Sequence, residues 1–354
     1  MKKYLWAVCY GVVLTAFTVF ISLDTFVLSS RYQTGTKQTN SALFENISAD
    51  AGQVTPFSAE NDDPEQKTDD AEANSRHGKP SGKRHSKGSG PQTESDTAPS
   101  QSGTGTSESV SAESGAEIGT YEDGNAKITL TQYEASDTTI YVADVQLTSA
   151  EYLKTAFAED AYGKNVTEKT SEIAADHNAI LAVNGDYYGA RESGYVIRNG
   201  IVYRNTKGSS DVLCIYADGT IKIVSPDEYT AEELVEQGVW QAFSFGPGLV
   251  ENGTVTVSQD EEVGKAMASN PRTAIGLIDS NHYVFVVSDG RTDESEGLSL
   301  HELAQFMQSL GVTTAYNLDG GGSSTLYFNG QVINHPTTNG SIKERGVSDI
   351  VYIG

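Results

Sequence analysis

Residues 31–120 cannot build a core of their own, and that confines where the rest of the chain can fold. Ser, Thr, Gly, Glu, Asp and Lys dominate stretches such as GKPSGKRHSKGSGPQTESD (78–96) and PSQSGTGTSESVSAESGAE (99–117). Hydrophobic residues there are too sparse and too aperiodic to offset the entropy of ordering the chain, so a disordered, solvated linker is expected. It divides the 354 residues into an apolar start (1–30), the linker (31–120) and a region of domain size (121–354). A basic patch within it, 79–87, reads as a solvated charge run that could also touch anionic cell-surface polymer. The simplest role for the linker is reach, holding the folded part away from a bilayer.

The start supplies the reason to expect a bilayer. Lys2 and Lys3 precede an apolar run from Tyr4 to Leu28 that only Asp24 interrupts. A helix of roughly 20 apolar residues suffices to span a membrane. The run is longer than a signal-peptide h-region and no A-x-A site follows it, so an uncleaved signal anchor is expected. Positive charge ahead of the span predicts a cytoplasmic N-terminus and an extracellular folded domain in a single-pass cell-membrane protein. The net charge of −24 argues against nucleic acid as a partner. The two cysteines, Cys9 and Cys214, sit in an apolar run and a strand-like run, so the fold depends on its core and not on disulfides.

From 121 onward, short β-rich runs dominate: KITLTQY (127–133), TTIYVADVQL (138–147), AILAV (179–183), DVLCIYA (211–217), TIKIV (220–224), TAIGLI (273–278), YVFVVS (283–288), AYNL (315–318), STLYF (324–328) and VSDIVYI (347–353). Asp218-Gly219 and Asn329-Gly330 read as hairpin turns. Helices are fewer. Ser299 and Glu302 form a capping box, Leu300, Leu303, Ala304, Met307 and Leu310 share one face, and Gly311 closes the helix. Weaker helices are expected at 170–177 and 230–237. The expected class is α+β: mixed or antiparallel β-sheets with two or three packed helices, preceded by the transmembrane helix and the linker.

Several strands end in dense polar clusters. AILAV runs into Asn184, Gly185, Asp186, Tyr187 and Tyr188, and Asn270, Pro271 and Arg272 lead into TAIGLI. YVFVVS runs into Asp289, Gly290 and Arg291, and AYNL into Asp319, Gly320, Gly321, Gly322 and Ser323. Strand ends are held by a rigid scaffold yet remain reachable, so these clusters point to one composite site. Three consecutive glycines expose backbone N–H groups and let a ligand approach the main chain closely. There is no P-loop lysine, no GxSxG elbow, no HExxH and no Cys/His nucleophile pattern. The remaining carboxylates, arginines, amides and N–H donors suit a sugar joined to phosphate. Cleaving its anomeric C–O bond creates an oxocarbenium-like centre that a carboxylate stabilises, while guanidinium and N–H donors neutralise the phosphate.

The motifs NGDYYG, GYVIRNGIVYR, NPRTAIGL, VVSDGR with LSLHELAQFMQSLG, NLDGGGSSTLYFNGQVIN and ERGVSDIVYIG occur in order through the folded region. In this the chain resembles the phosphodiester glycosidase family. The resemblance implies a hydrolase acting on a sugar-1-phosphodiester, here in a cell-surface or exopolysaccharide glycoconjugate. Two other readings stay open: a non-catalytic surface module that binds anionic glycopolymer, and a metal-dependent phosphodiesterase that cuts the P–O bond.

Asp319 is the first candidate for a catalytic carboxylate, with Asp289 and Asp186 as a general base or as acceptors for sugar hydroxyls. Arg272 and Arg291 form the expected phosphate clamp, each with a structural salt bridge as its alternative, and Arg345 is a third candidate contact. Gly320, Gly321, Gly322 and Ser323 would line the phosphate, Asn184 and Asn317 would orient sugar hydroxyls or a carboxylate, and Tyr187 would stack on the sugar. Carboxylates and carbonyls around one cleft could hold a divalent cation, Ca²⁺ or Mg²⁺, although no ligand spacing specifies one.

Overall fold

The computed structural model describes residues 5–26, 28–34, 40–44, 115–259 and 269–354. Its centre is an eight-stranded antiparallel sheet. The strand order is Thr254–Val255, Gly248–Glu251, Thr314–Asn317, Thr273–Asp279, His282–Ser288, Thr138–Leu147, Ala126–Ala135 and Ala116–Glu122. Along His282–Ser288 the side chains alternate between two cores. Tyr283, Phe285 and Val287 face one cluster, and Val284 and Val286 the other. Both faces of the central strands are covered, which explains why these runs read as continuously apolar.

One face packs against helix Leu300–Ser309, whose Leu300, Leu303, Ala304, Phe306 and Met307 are buried. The expected capping box is present: Ser299 Oγ accepts from the Glu302 N–H, and the Glu302 carboxylate accepts from the Ser299 N–H at 2.8 Å. Gly311, at φ 83°, closes the helix. Gly276 lets the helix approach the sheet, because a Cβ there would stand 2.7 Å from Met307 Cε.

The opposite face packs against two five-stranded antiparallel sheets. One has the order Gln331–Val332, Leu326–Phe328, Leu181–Asn184, Asp349–Ile353 and Leu153–Phe157. The other has Ile201–Arg204, Val196–Arg198, Val239–Phe243, Val212–Tyr216 and Ile221–Val224. Both expected hairpins occur. Asn329 and Gly330, at φ 47° and 87°, have the positive φ values of a type I′ turn. Short helices Thr170–Asp176 and Ala231–Glu236 complete the α+β arrangement.

Two differences from expectation concern the N-terminal part. Helix Leu5–Phe26 forms, but no helix among the described residues is long and apolar enough to cross a membrane, so the spanning-helix expectation finds no support here. The ordered unit also takes in more chain than 121–354. The central sheet begins at Ala116, and Ser30–Thr34 pairs with Ala161–Lys164. The composition of 31–120 concealed these pieces because each is a short strand that borrows its hydrogen bonds from the domain. Most of the expected linker, and its basic patch at 79–87, lies outside the described residues.

The sheets are tied together by a buried ion network that no local motif announces. Arg198 donates from Nη2 to Asp186 Oδ1 at 2.9 Å and from Nε to Asp349 Oδ2 at 2.7 Å, with all three side chains essentially inaccessible. One guanidinium serves two carboxylates, and among the described residues no hydrogen bond reaches Asp349 Oδ1. Burial and the neighbouring Asp186 charge outweigh Arg198 and hold the Asp349 carboxyl up at about 6. The native state then binds a proton that the unfolded chain releases. Stability from this group is full below the ordinary carboxylate pKa and is lost as pH rises through about 6. We expect Asp349→Asn, which keeps the shape and an acceptor for Arg198, to flatten the fall in Tm between pH 4 and 7 in calorimetry. An unchanged slope would mean that Asp349 titrates like a solvated carboxylate.

Candidate functional site

The glycine turn is the meeting point of several strand ends. Asn317 ends strand Thr314–Asn317, Leu318 is buried, and the chain then turns through Asp319 and the glycines into a single helical turn, Gly321–Ser323. Its base is stitched to two other segments. Asp319 N donates to Gly185 O at 3.2 Å and Gly321 N to Pro271 O at 2.8 Å. The Asn184 amide donates to the Asp319 carbonyl at 2.6 Å, while its oxygen accepts from Thr273 Oγ1 at 2.8 Å. A Cβ at Gly320 would stand 2.9 Å from Pro271 O, and Gly321 adopts φ 61°, so both positions demand glycine.

Two guanidiniums wall this turn. Arg345 donates from Nη2 to Asp319 Oδ2 at 2.9 Å and from Nε to Ser323 Oγ at 3.1 Å, with Nη2 also reaching that hydroxyl. Arg291 also borders the turn, its Nη2 2.8 Å from the place a Gly321 Cβ would occupy. Asn270 Oδ1 accepts from both Nε and Nη2 of Arg291, at 3.1 and 2.8 Å, and so fixes the plane of the group. Tyr187, at φ 62°, presents its ring 5.6 Å from the centre of the Arg345 guanidinium and is 36% exposed.

Asp319 is only 8% exposed. Burial raises its pKa, opposed by Arg345, the Ser323 hydroxyl and the Gly320 N–H. The carboxyl is thus balanced between a charge that its neighbours favour and a proton that its burial favours. This is the situation expected of a group that exchanges a proton or stabilises a transient cation.

The segment after strand Gln331–Val332 closes the site. Asn334 Nδ2 donates to Ser324 O at 3.0 Å, Thr338 Oγ1 to Gly322 O at 3.3 Å and Thr337 Oγ1 to Gly290 O at 2.9 Å. Asp289 anchors this segment. Its Oδ1 accepts the His335 backbone N–H at 2.7 Å and its Oδ2 lies 3.0 Å from His335 Nδ1. The carboxylate is buried while the His335 ring is largely exposed.

The sequence-based candidates therefore separate. Asp319, Gly320, Gly321, Gly322, Ser323, Arg291, Arg345 and Tyr187 converge. Asp289 borders the site, but its oxygens are engaged by the 334–335 segment. Asp186 does not join it: its carboxylate is buried against Arg198 and accepts from the Ser244 N–H at 2.8 Å, so it is corrected to a structural role. Arg272 is also corrected, because it is 3% exposed and its Nε donates to Leu298 O at 2.8 Å. Asn184 and Asn317 are buried and brace backbone instead of facing a ligand; Asn317 Nδ2 donates to Gly246 O at 2.8 Å. Among the described residues, no group of three or more His, Cys, Asp or Glu side chains is arranged to hold a metal ion.

Sequence reasoning missed Asn270, which fixes Arg291, and Asn334, whose Nδ2 also donates to Asp289 Oδ1 at 3.3 Å. Asn270 stood beside Arg272 in a cluster that already looked functional, and that was the available signal.

Comparison with known proteins places this geometry in context. A family model described as phosphodiester glycosidase matches residues 177–354. The N-acetylglucosamine-1-phosphodiester alpha-N-acetylglucosaminidases of human and mouse are 30% and 29% identical over 186 and 185 residues, which is 47% of this chain and 35% of each of those proteins. The SPbeta prophage-derived uncharacterized protein YomE of Bacillus subtilis is 28% identical over 182 residues, 49% of this chain and 28% of that protein. The chain thus spans about a third of the length of the curated relatives it matches. Among solved structures, the zebrafish N-acetylglucosamine-1-phosphodiester alpha-N-acetylglucosaminidase catalytic domain, auto-inhibited by its pro-peptide, superposes with a TM-score of 0.52. It is 19% identical, and the match covers 69% of this chain and 88% of that one. A hypothetical protein from Synechocystis gives a TM-score of 0.51 at 15% identity, covering 65% of this chain and 62% of its own. At these identities the two structures speak to the fold alone.

Proposed function

This chain belongs to the phosphodiester glycosidase family, a family of hydrolases, and from that premise we propose that it cleaves the glycosyl C–O bond of a sugar-1-phosphodiester at the glycine turn. One observation carries the reading. A buried carboxyl, Asp319, pairs with the part-exposed Arg345 at 2.9 Å in a glycine turn that a second guanidinium, Arg291, also borders. The guanidiniums receive the phosphate beside the glycines, where the absence of side chains lets it approach the main chain. As the C1–O bond breaks, the electron pair leaves with the phosphate monoester, and positive charge develops at C1 beside Asp319. Water supplies the new C1–O bond, and its proton passes to a base.

Phosphate binding and catalysis are coupled in this arrangement. The phosphate competes with Asp319 for Arg345, so a bound substrate weakens the interaction that holds the carboxyl ionised. The carboxylate so released from Arg345 faces the positive charge that develops at C1 and stabilises it. The full-length protein should release reducing sugar from a sugar-α-1-phosphodiester. Retention of anionic glycopolymer with no reducing sugar released would instead indicate a binding module.

The finer assignment is that the substrate is a cell-surface or exopolysaccharide glycoconjugate and that the catalytic unit faces the outside. Lys2 and Lys3 ahead of the apolar run are the sequence feature that favours this orientation for a membrane-inserted chain. A cysteine placed at the exposed Ile342 should react with a membrane-impermeant thiol reagent in intact cells; protection there until lysis would place the unit inside.

A further inference from the structure

The segment that follows the apolar helix does not leave the folded unit. Asn165 Nδ2 donates to Leu28 O at 3.1 Å. Ser30–Thr34 pairs with Ala161–Lys164 in the register Ser30↔Lys164, Arg31↔Gly163, Gln33↔Tyr162 and Thr34↔Ala161. Among the described residues Ala161–Lys164 has no other strand partner, so without this pairing it would present an unpaired ladder edge. The Tyr32 ring lies 5.8 Å from that of Tyr162, and Arg31 forms an ion pair with Glu159.

A second piece docks separately. Asn40 N donates to Asn199 O at 3.1 Å and its Nδ2 to Gly200 O at 3.3 Å, while the Phe44 ring meets Trp240 edge-on at 4.9 Å. The receiving surface is itself rigid: Asn199 Nδ2 donates to Thr155 O at 2.8 Å and its Oδ1 accepts from Gln241 Nε2 at 2.8 Å. The domain is also shaped for both pieces. A Cβ at Gly163 would lie 2.3 Å from Ser30 O, and one at Gly200 would lie 2.9 Å from Leu43 Cδ1. Close backbone approach of this kind is what a side chain would forbid.

We propose that the pieces 28–34 and 40–44 form a docked strap, so that the catalytic unit is seated directly behind the N-terminal helix. Phe44 and Gly115, the described residues that flank the polar segment 45–114, then both lie on one body. Reach, the role that segment's composition suggests, is then not its role. Two sites of attachment, one through a β-ladder and one through an aromatic contact on a braced turn, act as a bivalent clasp in which each raises the effective concentration of the other. A cut anywhere within 45–114 leaves the helix joined to the catalytic unit by the strap alone.

The test uses the full-length protein in detergent, with an N-terminal affinity tag and a site-specific protease sequence inserted after Ser100. After complete cleavage, the C-terminal piece should remain on the affinity resin with the tagged N-terminal piece. Its appearance in the flow-through would overturn the proposal. Tyr32→Ala combined with Phe44→Ala alters only the strap, so the domain keeps its fold, and the cleaved variant should release the C-terminal piece. Retention of that variant at the wild-type level would also overturn the proposal, because the pieces would then be held by the helix or the micelle and not by these contacts.

Discussion

Asp319→Asn should lower turnover of a sugar-1-phosphodiester by about 10²- to 10⁴-fold, the range for loss of a positioned acid–base group, while leaving the fold in place. The carboxyl is buried in a turn whose backbone is fixed from three sides by Asn184, Gly185 and Pro271. None of those bonds uses the Asp319 side chain. Asn keeps the volume and an oxygen that can accept from Arg345, and it removes a charge that burial opposes. Arg345 is part-exposed, so its unbalanced charge remains solvated. A shift in Tm within about 4 °C, or roughly 1 kcal/mol for a domain of this size, is therefore expected in thermal unfolding. A variant that fails to fold would show that Asp319 is a structural turn residue.

Arg345→Ala should cost about 2–5 kcal/mol in transition-state stabilisation, a 30- to several-thousand-fold loss in kcat/KM, as for removal of one member of a hydrogen-bonded charge pair. Two effects combine. The phosphate loses a donor that faces it from beside Tyr187, and Asp319 loses the cation that opposes its desolvation. The loss should fall most heavily on phosphate-bearing substrates. On an uncharged aryl glycoside only the effect through Asp319 remains, so the ratio of the two losses measures the clamp. Equal losses on both substrates would assign Arg345 wholly to Asp319 and remove it from phosphate recognition.

The glycine turn and helix Leu300–Ser309 were legible in the sequence because each carries its determinants locally. Three glycines between Asp319 and Ser323 announce close backbone approach, and the Ser299–Glu302 box with its apolar stripe announces a helix. The strands of the central sheet were legible for the same reason, as runs of β-formers bounded by turns. Strand Val239–Phe243 was not, because the buried Gln241 interrupts its apolar pattern and is satisfied by groups distant in sequence, at Leu153, Thr155 and Asn199. Asp186 looked catalytic because it follows a strand end, as Asp319 does. What distinguishes them is Arg198, which bridges Asp186 at 12 residues and Asp349 at 151 residues of separation. Pairings of that span arise from tertiary packing and leave no local trace. Arg272 and Arg345 exchanged importance for a similar reason: position beside a strand was visible, but the direction in which the guanidinium points was not.

Which bond is cut is decided by hydrolysis of a sugar-α-1-phosphodiester in ¹⁸O-water by the whole chain. Cleavage of the C–O bond at the Asp319 turn places the label in the released sugar and leaves the phosphate monoester unlabelled. Label in the phosphate, with none in the sugar, would mean attack at phosphorus and would contradict the proposed mechanism.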